Sequence, residues 1–177
     1  MKEELRRFFP ALLFVGKFLL LYTIGNLLYG WMIESYAPRP DPVTEWVSHQ
    51  TAGILTVTGY STRAVSSDSG PTIVLNWCGK RILAVYEGCN GVNVMIVFLA
   101  FMVGIGPYSK KFLWFVVAGL TLIHVMNLLR LLGLCLIALH LPEQFYFVHK
   151  YLFTSVLYVV IFSCWLLWFR ISGLKKA

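Results

Sequence analysis

Four apolar stretches constrain this chain more than any other feature of its sequence. They begin near Phe14, Val92, Phe112 and Tyr151, and about 20 apolar residues are enough to cross a bilayer as a helix. Of the 177 residues, 58% are hydrophobic and only 13% are charged, whereas soluble domains carry about a quarter charged residues. The sequence therefore predicts an all-α polytopic membrane protein that forms a single domain over residues 1–177.

About four transmembrane helices are expected. The first is predicted over Phe14–Ile33, the second from Val92 to just before Gly106, and the fourth over Tyr151–Phe169. The third stretch, Phe112–Leu141, is too long for one perpendicular span. We divide it into a span that ends at Arg130 and a segment, residues 131–141, that tilts, re-enters or lies along the membrane surface.

Basic residues predict the orientation of these helices. With four spans, three basic groups fall on one side of the membrane: Lys2, Arg6 and Arg7; Lys110 and Lys111; and Arg170, Lys175 and Lys176. Lysine and arginine accumulate in short cytoplasmic flanks, so both termini are expected in the cytoplasm. Topology then accounts for the net charge of +7, and no nucleic-acid partner is expected.

The orientation leaves one large extracytoplasmic segment, at about residues 34–91. Cap-forming residues from Asp41 to Thr44 predict a helix over Thr44–Thr58. A loop at Ser61–Gly70 follows, and then two β-rich runs, 72–77 and 81–86, which predict a hairpin with its turn at Gly79-Lys80. The expected outer segment is a helix plus a β-hairpin between the first two spans.

Three reactive residues fall on this side of the membrane at the ends of different spans. Cys89 precedes the second span, Arg130 ends the third, and His149 precedes the fourth. Cysteine and histidine form the pair used in thiolate catalysis, and arginine can stabilise an oxyanion. The N-terminus of the second span would favour the Cys89 thiolate. Asn127 lies on the same helical face as Arg130.

Each candidate has an alternative explanation. Cys89 could form a disulfide with Cys78, although a hairpin would hold the two residues far apart. Arg130 could extend its side chain to lipid headgroups. The catalytic histidine could be one of the other three, His49, His124 or His140. The remaining cysteines, Cys135 and Cys164, lie in apolar runs and suit small buried positions.

These residues lie in motifs that resemble the exosortase/archaeosortase family. The family pattern is Glu-x-Cys-Ser/Asn-Gly at the start of one membrane helix, Asn-x-x-Arg at the end of the next, and a later histidine. Here the matching segments are residues 87–91 (Glu-Gly-Cys-Asn-Gly), residues 127–130 (Asn-Leu-Leu-Arg) and His149. The short length resembles the type F exosortases of Bacteroidetes, and Asn90 replaces the more usual serine.

The resemblance implies a membrane-embedded cysteine transpeptidase or protease of the bacterial inner membrane, with its active site on the periplasmic side. It assigns Cys89, Arg130 and His149 to catalysis, with Glu87, Asn90, Gly91 and Asn127 in support and with Glu87 able to pair with Arg130. The implied partners are exported proteins with a C-terminal membrane-anchoring sorting signal, which are cleaved through a thioester before an unidentified acceptor nucleophile or water resolves it. No cofactor or metal is expected.

Two other functions fit parts of the sequence. One is a non-enzymatic membrane assembly or sorting factor that binds an envelope partner through the outer segment. The other is a thiol redox protein, which would use closely paired outer cysteines.

Overall fold

The structure is a computed structural model that describes residues 2–68, 70–106 and 108–173. Side chains are described from residue 8 onwards, apart from the two gaps. Among the basic residues used to predict orientation, Lys175 and Lys176 lie outside the described residues.

Helices make up most of the chain. In chain order they are α1 (Lys2–Tyr36), α2 (Pro42–Val57), α3 (Val92–Ile105), α4 (Lys110–His140), the single turn α5 (Phe145–Phe147) and α6 (Phe153–Ser172). Three described segments are long and apolar enough to cross a membrane: Phe8–Tyr36, Lys110–His140 and Pro142–Ser172. The prediction of a mainly helical multi-pass membrane protein is confirmed at this level, whereas α3 is a shorter apolar helix and the number of four spans stays a prediction.

The predicted division of the third apolar stretch at Arg130 is wrong. A single helix, α4, runs from Lys110 to His140 without a break. Its last part is apolar because Leu131, Leu134 and Cys135 pack into a protein core, so these residues need no separate contact with the bilayer. The length of α4 therefore reflects burial against two different parts of the protein.

Two hydrophobic cores lie along α4. The first half of the helix packs with α3 and α6 around Phe98, Ile123 and Trp168. The second half packs with residues 43–89, which we call the head, around Val47, Leu75 and Leu134. The polar residues Asn127 and Arg130 lie between these two sets of apolar positions on α4.

The head contains α2 and a three-stranded antiparallel sheet in the order β1 (Thr62–Ser66), β2 (Ile73–Trp77) and β3 (Lys80–Val85). The predicted helix is present, and Asp41 caps it by accepting hydrogen bonds from the backbone of Val43 and Thr44. Strand β1 was not predicted, because its residues fall in a serine-rich segment that was interpreted as a loop.

The hairpin between β2 and β3 is shifted by one residue from the prediction. Trp77 pairs with Lys80, so the turn consists of Cys78 and Gly79 and not of Gly79 and Lys80. Both turn residues have positive φ, 49° and 80°, as a type I′ turn requires. Cys78 therefore lies in the exposed turn, and Arg81 pairs with Asn76.

Candidate active site

Cys89 lies at the boundary between the head and α3. It ends a 3₁₀ turn formed by residues 87–89, and its side chain is only 3% exposed. Gly91, at the N-cap of α3, has a φ of 86°, and a Cβ there would lie 3.0 Å from the side chain of Asn127. Both the backbone conformation and this close approach require glycine directly after the Cys89-Asn90 pair.

Asn127 connects Cys89 to Arg130. Its amide nitrogen donates a hydrogen bond to the Cys89 carbonyl oxygen at 3.1 Å, and its amide oxygen accepts one from Arg130 Nη1 at 3.5 Å. Arg130 is 9% exposed, and its Nε has no hydrogen-bond partner among the described residues. A buried guanidinium with a free donor is a suitable ligand for a carbonyl oxygen or an oxyanion.

His149 approaches Cys89 from the chain segment before α6. The distance from its Nε2 to Cys89 Sγ is 3.8 Å. Residues 148–152 form a π-helical segment, a feature that is frequent at functional sites. The Phe145 ring stacks on the imidazole at 5.8 Å with an interplanar angle of 7°, which fixes the plane of the histidine ring.

A close contact between α4 and α6 supports this placement. A Cβ at Gly133 would lie 2.5 Å from the Phe153 ring, so only glycine allows α6 to approach α4 at this level. Phe153 follows the π-helical segment directly. The spacing of α6 from α4 therefore positions His149 beside Cys89.

The other three histidines have different neighbours. His124 contacts Gln50 at 2.9 Å, His140 contacts the Tyr60 hydroxyl at 3.3 Å, and His49 lies 3.9 Å from Glu45. Of the alternatives considered from the sequence, His149 is the histidine whose ring nitrogen reaches the Cys89 sulfur.

Asn90 holds the cysteine turn in a buried polar network that sequence analysis missed. Its amide nitrogen donates to the Tyr29 hydroxyl at 2.6 Å and to Thr44 Oγ1 at 2.9 Å, while its amide oxygen accepts from the backbone nitrogen of Val92. Thr44 in turn donates to the buried Asp41. Tyr29 and Thr44 are 61 and 46 residues away from Asn90, so no local pattern could have found them.

Replacing Asn90 by alanine is expected to lower the free energy of unfolding by about 2 kcal/mol, because it removes the hydrogen bonds of several buried groups together. Thermal unfolding of the detergent-purified chain measures the effect. Asn76→Ala is the matched control, since the Asn76 side chain forms no hydrogen bond with another described residue. Equal unfolding temperatures for the two variants would contradict the assigned role of Asn90.

Glu87 forms no ion pair with Arg130. The single ion pair in the described part of the chain joins His49 and Glu45. Instead, the Glu87 carbonyl oxygen accepts a hydrogen bond from the Tyr29 hydroxyl at 3.3 Å. All four cysteines, including Cys78 and Cys89, are free.

The arrangement brings together side chains with the chemistry of a nucleophile, a base and an anion-binding group. His149 can accept the Cys89 proton, since its ring nitrogen lies within reach of the sulfur. Arg130 supplies a buried positive charge next to the same turn, through Asn127. These groups come from three separate elements, and their chemistry is that of acyl transfer through a thiolate.

Comparison with known proteins identifies the family. No curated protein and no solved structure matches the chain. The family model described as transmembrane exosortase matches residues 5–169, which include nearly all of α1, all of α2 to α5 and most of α6. The chain therefore belongs to the transmembrane exosortase family, a family of membrane-embedded sorting transpeptidases.

Proposed function

We propose that this exosortase cleaves exported proteins next to a C-terminal membrane anchor, with Cys89 as the nucleophile. The observation that carries the proposal is the 3.8 Å approach of His149 Nε2 to Cys89 Sγ beside a buried arginine that lacks a carboxylate partner in the described chain. A cysteine that served only as a core residue would need neither neighbour.

The reaction begins when the Cys89 proton moves to His149 and the thiolate attacks the carbonyl carbon of the scissile peptide bond. A tetrahedral intermediate forms and collapses as its carbon–nitrogen bond breaks. The leaving amine takes the proton from His149, and the exported part of the substrate stays on Cys89 as a thioester. An acceptor amine or water then attacks the thioester, gives its proton to His149 and releases the Cys89 thiolate.

Arg130 acts on the oxygen of the tetrahedral intermediate. Its Nε is buried and has no hydrogen-bond acceptor among the described residues, and a donor of this kind is worth most when charge develops on the oxygen. Asn127 positions the guanidinium and also anchors the Cys89 backbone. The Asn127 amide group therefore forms hydrogen bonds both with the residue that carries the nucleophile and with the oxyanion donor.

The proposal includes an orientation in the bacterial inner membrane. Lys110 and Lys111 begin α4 at the cytoplasmic surface, and Arg130 lies 20 residues further, about 30 Å at the helical rise. That length matches the hydrocarbon core of a bilayer. Four spans, including the short α3, bring both termini to the cytoplasm and the Cys89 turn to the periplasmic boundary, where the junction between an exported domain and its anchor lies.

The test compares three strains of the native host: wild type, a gene deletion and a Cys89→Ala replacement expressed at the normal level. Quantitative mass spectrometry of protein C-termini in envelope and secreted fractions is the measurement. We expect the deletion and the replacement to accumulate the same anchor-retaining proteins, and the C-termini found only in wild type then identify the cargo.

The opposite outcome supports a different function. If the deletion has a phenotype that the Cys89→Ala strain lacks, the protein acts without a nucleophile and is an assembly or sorting factor. In that case the head is the part to delete next, because it is the largest part of the chain outside the apolar helices.

A further inference from the structure

Tyr86 lies directly against the turn that carries Cys89. It occupies the N-cap of the 3₁₀ turn, and its carbonyl oxygen accepts a hydrogen bond from the Cys89 backbone nitrogen at 2.8 Å. The tyrosine ring folds back over the turn, since a Cβ at Gly88 would lie 2.5 Å from ring atom Cε2 and 3.3 Å from Cζ. Tyr86 is therefore an aromatic neighbour of the turn that carries the cysteine.

The Tyr86 hydroxyl lies within the electrostatic field of the catalytic groups. The negative charge of the Cys89 thiolate is the largest influence, and it raises the pKa of Tyr86. Burial raises it further, Arg130 opposes the shift, and Glu87 adds to it. A tyrosine with a raised pKa keeps its proton at neutral pH, so its hydroxyl can act as a hydrogen-bond donor.

Tyr86 also connects the site to its surroundings. Its side chain is 41% exposed, whereas Cys89 is 3% exposed. The sulfur is thus covered while the phenol beside it still reaches the surface. Sequence analysis assigned Tyr86 to the end of a strand, and nothing in the motif at residues 87–91 points to it.

We propose that the Tyr86 hydroxyl donates a hydrogen bond to the Cys89 sulfur in its thiolate form, and that Gly88 is glycine because any side chain there would displace the Tyr86 ring. The inference rests on the proposed role of Cys89 as nucleophile, and it adds a fourth side chain to that site. The groups at the sulfur are then His149 and Tyr86, with Arg130 and Glu87 as the nearby charges.

The proposed hydrogen bond between Tyr86 and Cys89 acts when the cysteine loses its proton. The Cys89 proton goes to His149 Nε2, the Tyr86 hydroxyl keeps its own proton, and the negative charge left on sulfur is shared with that hydroxyl. A hydrogen bond to the charged form favours that form, so Tyr86 raises the fraction of Cys89 that is ready to attack. When the thioester forms, sulfur loses its charge and the bond weakens.

The test measures the alkylation rate of Cys89 by iodoacetamide between pH 5 and pH 10, in the detergent-purified full chain, with peptide mass spectrometry as the readout. In Tyr86→Phe the rising limb of the plot of alkylation rate against pH is expected to move to higher pH by about one unit. At a fixed pH on that limb, this shift corresponds to about a tenfold slower reaction. Gly88→Ala is expected to move it in the same direction, because the added methyl group displaces the ring.

Tyr60→Phe is the matched control, since the Tyr60 hydroxyl contacts His140 and not the cysteine turn. An alkylation profile for Tyr86→Phe that superimposes on those of wild type and Tyr60→Phe overturns the inference. A similar unfolding temperature for wild type and Tyr86→Phe shows that the shift does not come from unfolding, and Gly88→Ala gives an independent test if Tyr86→Phe folds poorly.

The alkylation measurement is independent of the proposed function. It needs no cargo protein, so a shifted profile supports the Tyr86 bond even where Cys89→Ala leaves the C-termini of host proteins unchanged. An unshifted profile together with loss of processing in Cys89→Ala rejects the Tyr86 bond alone.

Discussion

Cys89→Ala is expected to reduce processing of the cargo by at least about 10³-fold, because it removes the atom that forms the covalent intermediate. The proposed thioester intermediate has a direct chemical test. Wild-type membranes supplied with cargo and hydroxylamine should release a product that ends in a C-terminal hydroxamate, since hydroxylamine attacks the thioester. Mass spectrometry of the released C-terminus should find the hydroxamate with the wild-type protein and none with Cys89→Ala.

The other cysteines provide matched controls for this experiment. Cys78 is exposed in the hairpin turn, and Cys135 and Cys164 are buried in the two cores. Cys78→Ala should process cargo at the wild-type rate, and the two buried replacements should change the rate no more than their effect on the folded fraction predicts. Hydroxamate formed by the Cys89→Ala protein would show that another group carries the acyl intermediate.

Arg130→Met is expected to decrease processing by about 10²- to 10³-fold, the range for loss of an oxyanion donor, without a decrease in the unfolding temperature. The physical reason for the second part is that Arg130 is buried, while its hydrogen bond within the described part of the chain goes to the uncharged amide oxygen of Asn127 at 3.5 Å. A buried cation without a carboxylate partner destabilises the fold, so an apolar side chain of similar size should be neutral or stabilising. Activity assays and thermal unfolding of the same preparation measure both effects.

Arg130→Lys separates charge from geometry. Lysine keeps the positive charge but lacks the planar fork of donors, so we expect it to recover only part of the lost activity. Arg63→Met, at an exposed position on β1, is the control for general loss of a cation. A decrease in unfolding temperature for Arg130→Met that matches its loss of activity would show instead that Arg130 serves the fold.

The helical part of the fold follows from the sequence because its signals are local. The start of α3 at Val92 and its end before Gly106 agree with the prediction, since a glycine lies directly beyond each end. The start of α2, at Pro42, was predicted to within two residues because Asp41 to Thr44 include cap-forming residues. In each of these cases the determining residues are neighbours in the chain.

Other parts of the fold depend on contacts that a single sequence does not display. Arg130 was interpreted as the end of a membrane helix, but α4 continues past it to His140. Arg130 is linked to the cysteine turn through Asn127, and Gly133 accommodates Phe153. The turn at Cys78 and Gly79 differs by one residue from the prediction because a cysteine with positive φ is uncommon. Pairing across the sheet determined the register.

The candidate site likewise contains residues that the sequence predicted and residues that only the folded chain reveals. Cys89, Asn127, Arg130 and His149 were selected by residue type, position and family resemblance, and the structure brings them to one place, while their catalytic roles stay predictions. Tyr29, Thr44 and Tyr86 were missed because hydroxyl and aromatic residues are common at membrane boundaries, and only the folded chain shows which of them contact the nucleophile's turn.

The continuity of α4 has a consequence for the lipid environment. The same rigid helix crosses the apolar layer, carries Arg130 and packs into the head, so the site cannot change its depth independently of the helix. A thicker or thinner bilayer creates hydrophobic mismatch, which a long helix relieves by tilting or by distorting the lipid around it. In this protein such a tilt also moves the head. Under the proposed function, lipid chain length then becomes a determinant of where along a substrate the cut is made.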